Sequence, residues 1–161
     1  MSDSRLLIFA WGNPSRGDDA LGPEFLRRIE LLAGEGVELL TDFQLQVEHA
    51  VDLARRDLVL FVDASASCAP PFALSRVSVQ RNLTFTTHAM SPAAVLYVYR
   101  AVTGREPPPS YQLAIRGNSF ALGEPLGASA RDHLEAALAL AASLLAEPTP
   151  GAWDRHVLHC G

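Results

Sequence analysis

Two adjacent carboxylates, Asp18 and Asp19, close the turn-rich stretch Gly12-Asn13-Pro14-Ser15-Arg16-Gly17. That stretch follows the short apolar run Leu6–Trp11 and opens onto a helical pattern, so both acids stand at a helix start. Anions at that position are favoured by about 0.3–1 kcal/mol, and capping alone accounts for one Asp there. A pair of carboxylates after a tight turn is as well suited to holding a cation, and both readings stay open. The glycines do not match the dinucleotide fingerprint, and no P-loop lysine follows. A further acid, Asp63, comes directly after Leu58–Val62, five apolar residues in a row. An ionised carboxylate at the end of a buried strand is costly unless it is paired, hydrogen-bonded or bound to a metal. The plainer alternative is an Asp that caps the following turn. His88, in Thr86-Thr87-His88-Ala89-Met90-Ser91-Pro92, precedes a helix start. The dipole there disfavours protonation and leaves a neutral imidazole able to ligate a metal. Asp19, Asp63 and His88 together offer the O,O,N set that divalent transition metals accept.

The remaining reactive side chains are weaker candidates. Glu48 and His49 follow the second apolar strand pattern and suit a surface helix face. His133, His156 and His159 fall in a helix and a tail and are taken as solvated. Ser65 and Ser67 follow Asp63, but the chain has no GxSxG elbow. Cys68 lies among small residues and prolines, with nothing beside it to activate a thiolate. Cys68 and Cys160 are the two cysteines, and their spacing makes neither a zinc ribbon nor a disulfide scaffold.

Composition narrows the function classes. At 161 residues, 48% hydrophobic and 19% charged, the chain has the make-up of one ordinary globular domain. All 13 basic residues are arginine, which excludes a Schiff-base lysine and a Ser-Lys dyad. The net charge of −5 argues against a general nucleic-acid binder. Residues 1–80 hold 7 Arg against 12 Asp plus Glu, so the first half carries the imbalance, as solvated helix faces or as an attraction for cations or a basic partner. No signal peptide and no apolar run of membrane-spanning length is expected, which points to the cytoplasm.

The elements that must position these groups alternate. Strands are expected at Leu6–Trp11, Val37–Leu40, Leu58–Val62, Phe72–Gln80 and Tyr111–Ile115, with the Phe72 strand nearer an edge. Helices are expected at Leu21 to Leu32, Val47 to Leu53, Ser91–Val102 and Ser129–Leu145. The alternation predicts an α/β fold: a single three-layer domain with a mostly parallel twisted sheet flanked by helices. Leu6–Trp11 and Leu58–Val62 should be central strands. The domain should span residues 1–148, with 149–161 a loose C-terminal tail. Ligands of such open sheets sit outside the carboxyl ends of the strands, where Asp19, Asp63 and His88 are expected to share one cleft.

Three stretches in this order resemble the nickel–iron hydrogenase maturation endopeptidases. They are Gly12-Asn13-Pro14 with Asp18-Asp19-Ala20-Leu21-Gly22, then Phe61-Val62-Asp63-Ala64, then Thr87-His88-Ala89-Met90-Ser91, with Gln44-Leu45 and Glu48 between. The resemblance covers roughly residues 5 to 145. It departs at Asp19, where the family often has Glu, at Ser91, where Gly is common, and in the tail after Pro148.

The resemblance implies a compact α/β fold and an enzyme of aspartic type that removes a short C-terminal extension from the large-subunit precursor of a nickel–iron hydrogenase. It also implies that Asp19, Asp63 and His88 are the catalytic, metal-contacting residues. The nickel is then carried by the precursor, the protein partner, and no cofactor is held tightly; no nucleic acid and no membrane is involved. Whether a metal-polarised water or a carboxylate base drives hydrolysis stays open. Two rivals use the same residues: a small hydrolase with its own metal, and a non-enzymatic metal-binding assembly module.

Overall fold

A computed structural model of the chain describes residues 5–80 and 90–157. Five strands form one sheet: β1 Leu6–Trp11, β2 Val37–Asp42, β3 Leu58–Ser65, β4 Phe72–Val77 and β5 Ser110–Arg116, in the order β2-β1-β3-β5-β4. The β2–β1, β1–β3 and β3–β5 pairs are parallel, and β4 runs antiparallel on the β5 edge. The expected central strands, β1 and β3, are both interior. Their continuous apolar runs have the cause anticipated: β1 is buried along its whole length, as is β3 from Leu58 to Val62, because both faces of the sheet are covered.

Alternate residues of each strand feed two cores. Leu6, Ile8, Ala10, Leu60, Val62 and Leu113 meet α1 (Leu21–Ile29) and α3 (Ala128–Ala146) through Phe25, Leu134 and Ala141. Leu7, Phe9, Trp11, Val59 and Phe61 meet a 3-10 helix, Val47–Leu53, and α2 (Pro92–Thr103) through Leu53, Val95 and Leu96. The result is a three-layer α/β domain. Ser91 caps α2 by accepting the Ala94 N–H at 3.2 Å, and Gly104, at φ 70°, ends it in the left-handed region. No described helix is long and apolar enough to cross a membrane.

Four expectations need correction. The first helix ends at Ile29, short of the expected Leu32. Val47–Leu53 is a 3-10 helix, tightened by its own cap: the Gln46 N–H donates to His49 Nδ1 at 2.8 Å. The Phe72 strand ends at Val77. The largest difference is the tail. Residues 149–157 are not loose, for Pro150–Asp154 forms a short helix, α4, capped by Thr149. Trp153 is 1% exposed, stands edge-on to Tyr111 and donates its Nε1–H to the Leu144 carbonyl at 2.9 Å. The Tyr111 hydroxyl donates to Asp154 Oδ1 at 2.5 Å, and Arg76 lies over the Tyr111 ring. One indole therefore outweighs the polar character of its neighbours and docks the segment on the sheet. Trp153→Ala is expected to cost about 3–5 kcal/mol. A urea denaturation midpoint close to that of the unaltered protein would restore the loose tail.

Candidate functional site

The chain leaves β1 for α1 and β2 on one side, and leaves β3 for β4, α2 and β5 on the other. The crevice between the carboxyl ends of β1 and β3 is therefore the topological switch point, where open α/β sheets bind ligands. Asp19 and Asp63 reach this crevice from its two walls.

Asp19 belongs to a 3-10 turn, Gly17–Ala20, that delivers the chain into α1. Its Oδ2 accepts the Asn13 N–H at 2.7 Å, so the carboxylate folds back over the end of β1. Gly12, at φ 151°, makes room for that return: a Cβ there would stand 2.1 Å from the Asp19 carbonyl oxygen. The Gly12 N–H donates to the Asp42 carbonyl at 3.1 Å and ties the turn to β2.

Asp63 is the sixth residue of β3, two beyond Phe61, and so shares the α2 side of the sheet with it. On the same side Trp11 and Phe61 pack edge-on with ring centres 6.1 Å apart. Burial in these surroundings pushes the Asp63 carboxyl up to about 7; the negative charge of Asp19 adds to the rise, and the Ala64 N–H pulls it back only in part. The two carboxylates therefore feel each other across the crevice, and the charge of Asp19 raises the proton affinity of Asp63.

The two acids of the Asp18-Asp19 pair have separate fates. Asp18 is 2% exposed, and its carboxylate is bonded to the backbone of the segment that follows β5. Burial pushes its carboxyl up, but N–H groups of Asn118, Gly127 and Ser119, with the charge of His133, outweigh that and hold it below the usual range. His88 lies outside the described residues. Among the described residues no group of three His, Cys, Asp or Glu could hold a metal ion.

Other candidates resolve into structural roles. His49 is mostly buried: its ring packs edge-on against Phe9 at 4.4 Å, and Nε2 lies 3.2 Å from Asp42 Oδ2. It is not the surface residue expected, although Glu48 is exposed. His133 is likewise engaged, with Nδ1 2.8 Å from the Arg116 carbonyl. Ser65 Oγ accepts the Cys68 N–H at 3.0 Å, which makes it a turn-closing group. The structural duties of Asp18 and His133 had no local signal, because their partners are distant in sequence.

The same architecture occurs in solved structures. HybD, a hydrogenase maturating endopeptidase from E. coli, is 25% identical, covers 89% of this chain and 93% of its own, and superimposes with a TM-score of 0.71. The chain is built like a hydrogenase maturation protease. A second E. coli endopeptidase, at 25% identity and TM-score 0.66, covers 89% of this chain and 94% of its own. The maturation protease HycI from Thermococcus kodakarensis KOD1, 23% identical with 89% and 94% coverage and a TM-score of 0.70, shares the fold. No protein-family model and no curated protein matches the chain.

The raised Asp63 carboxyl has a consequence for stability. The folded protein holds a proton that the unfolded chain has released, so stability falls as pH rises from about 4 to about 7. Asp63→Asn removes that cost. It should melt higher than the unaltered protein at pH 8, by up to a few kcal/mol, and match it near pH 4. Parallel melting curves for the two proteins at both pH values would show that Asp63 is ionised without strain.

Proposed function

We propose that this chain is an endopeptidase of hydrogenase maturation, which removes the C-terminal extension from the large-subunit precursor of a nickel–iron hydrogenase once nickel is in place. The observation that carries this reading is the Asp19–Asp63 pair at the switch-point crevice, in a chain whose fold is that of the maturation proteases. The sequence motifs point to this pair, and the likeness in three dimensions supports the fold that carries it.

In this reading nickel is the substrate's cargo, held by the precursor, and not a resident cofactor. Asp19 and Asp63 present two oxygen ligands to it and His88 supplies the nitrogen. Contact with the ion reports that the precursor is loaded and sets the scissile bond over the crevice. Asp63 changes protonation near neutral pH, which suits a carboxyl that moves a proton to or from an attacking water. Oxygen and nitrogen ligands without a thiolate suit a transient contact, because the substrate keeps the ion after cleavage. No serine or cysteine nucleophile takes part.

Incubation of purified precursor with the protein, with and without nickel, tests this on a gel. Cleavage should require nickel in the precursor. Asp63→Asn keeps the size and removes the charge, and should slow processing by at least about 10–100-fold. His88→Ala should behave alike, while Ser65→Ala and Cys68→Ala should process normally. Wild-type cleavage by Asp63→Asn, or loss of cleavage by a folded Cys68→Ala, would revive a covalent mechanism. Nickel-independent hydrolysis by a protein that purifies with bound metal would favour the resident-metal hydrolase.

A further inference from the structure

We infer that Asp18 is a positioning residue, whose buried carboxylate determines where Asp19 stands in the crevice. The inference rests on the proposed reading only for the activity it is expected to change.

Three backbone N–H groups converge on Asp18. Oδ2 accepts from Asn118 at 2.7 Å and from Ser119 at 3.2 Å, and Oδ1 accepts from Gly127 at 2.8 Å. All three donors belong to the segment that joins β5 to α3, about a hundred residues further along the chain. The Asp18 N–H returns a bond to the Ser119 carbonyl at 2.8 Å, and just before it in the chain the Gly17 N–H donates to the Glu124 carbonyl at 3.0 Å and the Ser15 carbonyl accepts the Gly123 N–H at 2.7 Å. The approach is close enough to demand glycine on both strands of the contact. A Cβ at Gly17 would stand 2.5 Å from the Ser119 carbonyl oxygen, and one at Gly117 would stand 2.8 Å from the Asp18 Cβ.

A 3-10 turn advances one third of a circle per residue, so neighbouring side chains diverge by about 120°. Fastening Asp18 to the β5–α3 segment therefore turns Asp19 the other way, toward Asn13 and Asp63. An asparagine at position 18 cannot do the same: one side of its amide is a donor and would face an N–H. The loss falls on the direction of the next residue as well as on the clamp itself.

The test compares Asp18→Asn with Gly117→Ala, which keeps the carboxylate and crowds it, and with Tyr111→Phe, a destabilised control that leaves the crevice untouched. In processing of nickel-loaded precursor well below the melting temperature, Asp18→Asn should lower kcat at least ten-fold with KM within about three-fold, Gly117→Ala should show the same split more weakly, and Tyr111→Phe should keep wild-type kcat. Amide exchange supplies a readout independent of cleavage, because the Asn13 N–H is bonded to Asp19. In Asp18→Asn its protection should fall at least ten-fold beyond the change at Leu60 in β3. Asn13 exchange that changes only in step with Leu60, or a kcat that only follows stability as in the control, overturns the inference. If the unaltered protein cleaves no precursor, the proposed function fails and the Asn13 measurement still decides the role of Asp18.

Discussion

A carboxylate at the end of a strand covered on both faces has few ways to be comfortable. In this protein β3 is the middle strand of the sheet, with helices on either side, and Asp63 follows its buried stretch. Parallel pairing puts the carboxyl ends of β1 and β3 side by side. The same pairing places the turn after β1, with Asp19, beside Asp63. Burial raises the proton affinity of Asp63, and the nearby Asp19 raises it again. A site with this property follows from sheet topology and two aspartates, and the helices serve to keep water from one side of it.

The layers that create this constraint are unequal in character. One core is long and richer in aliphatic side chains, with Phe25, Tyr111 and Trp153 among them, and is built where α1 and α3 cross the sheet. The other holds the aromatic ladder Phe9, Trp11 and Phe61, together with the imidazole of His49. The ladder rises to the crevice on the side where Asp63 projects. Wide, stiff rings make a firm floor beneath a charged group, because they leave little room for it to sink or turn.

Much of this was legible in the chain itself. The runs Leu6–Trp11 and Leu58–Val62 announced strands buried on both faces because neither alternates with polar residues. Asp19 and Asp63 were singled out because acids that follow such strands stand at the ligand-binding edge. What stayed hidden depends on contacts across long separations. Nothing around Asp18 distinguishes it from Asp19, yet its partners lie at Asn118, Ser119 and Gly127. The tail was misjudged for the same reason: Trp153 stands in a stretch broken by prolines and followed by polar residues, and its burial depends on Tyr111 in β5 and Leu144 in α3. His49 took a 3-10 cap because its ring could reach Gln46 and Asp42 together, a geometry that spacing alone does not announce.

The reversal of β4 has a bearing on how the molecule behaves in a crowd. A sheet with two open flanks invites another sheet to pair with either. Here the flanking strands, β2 and β4, are six residues each. Glu38 and Asp42 place negative charge along one, and Arg76 places positive charge on the other, where its ring contact and Asp154 hold it in place. Short, charged margins are poor templates for β-augmentation. The apolar middle of the sheet is therefore guarded at both margins against edge-to-edge pairing with another chain.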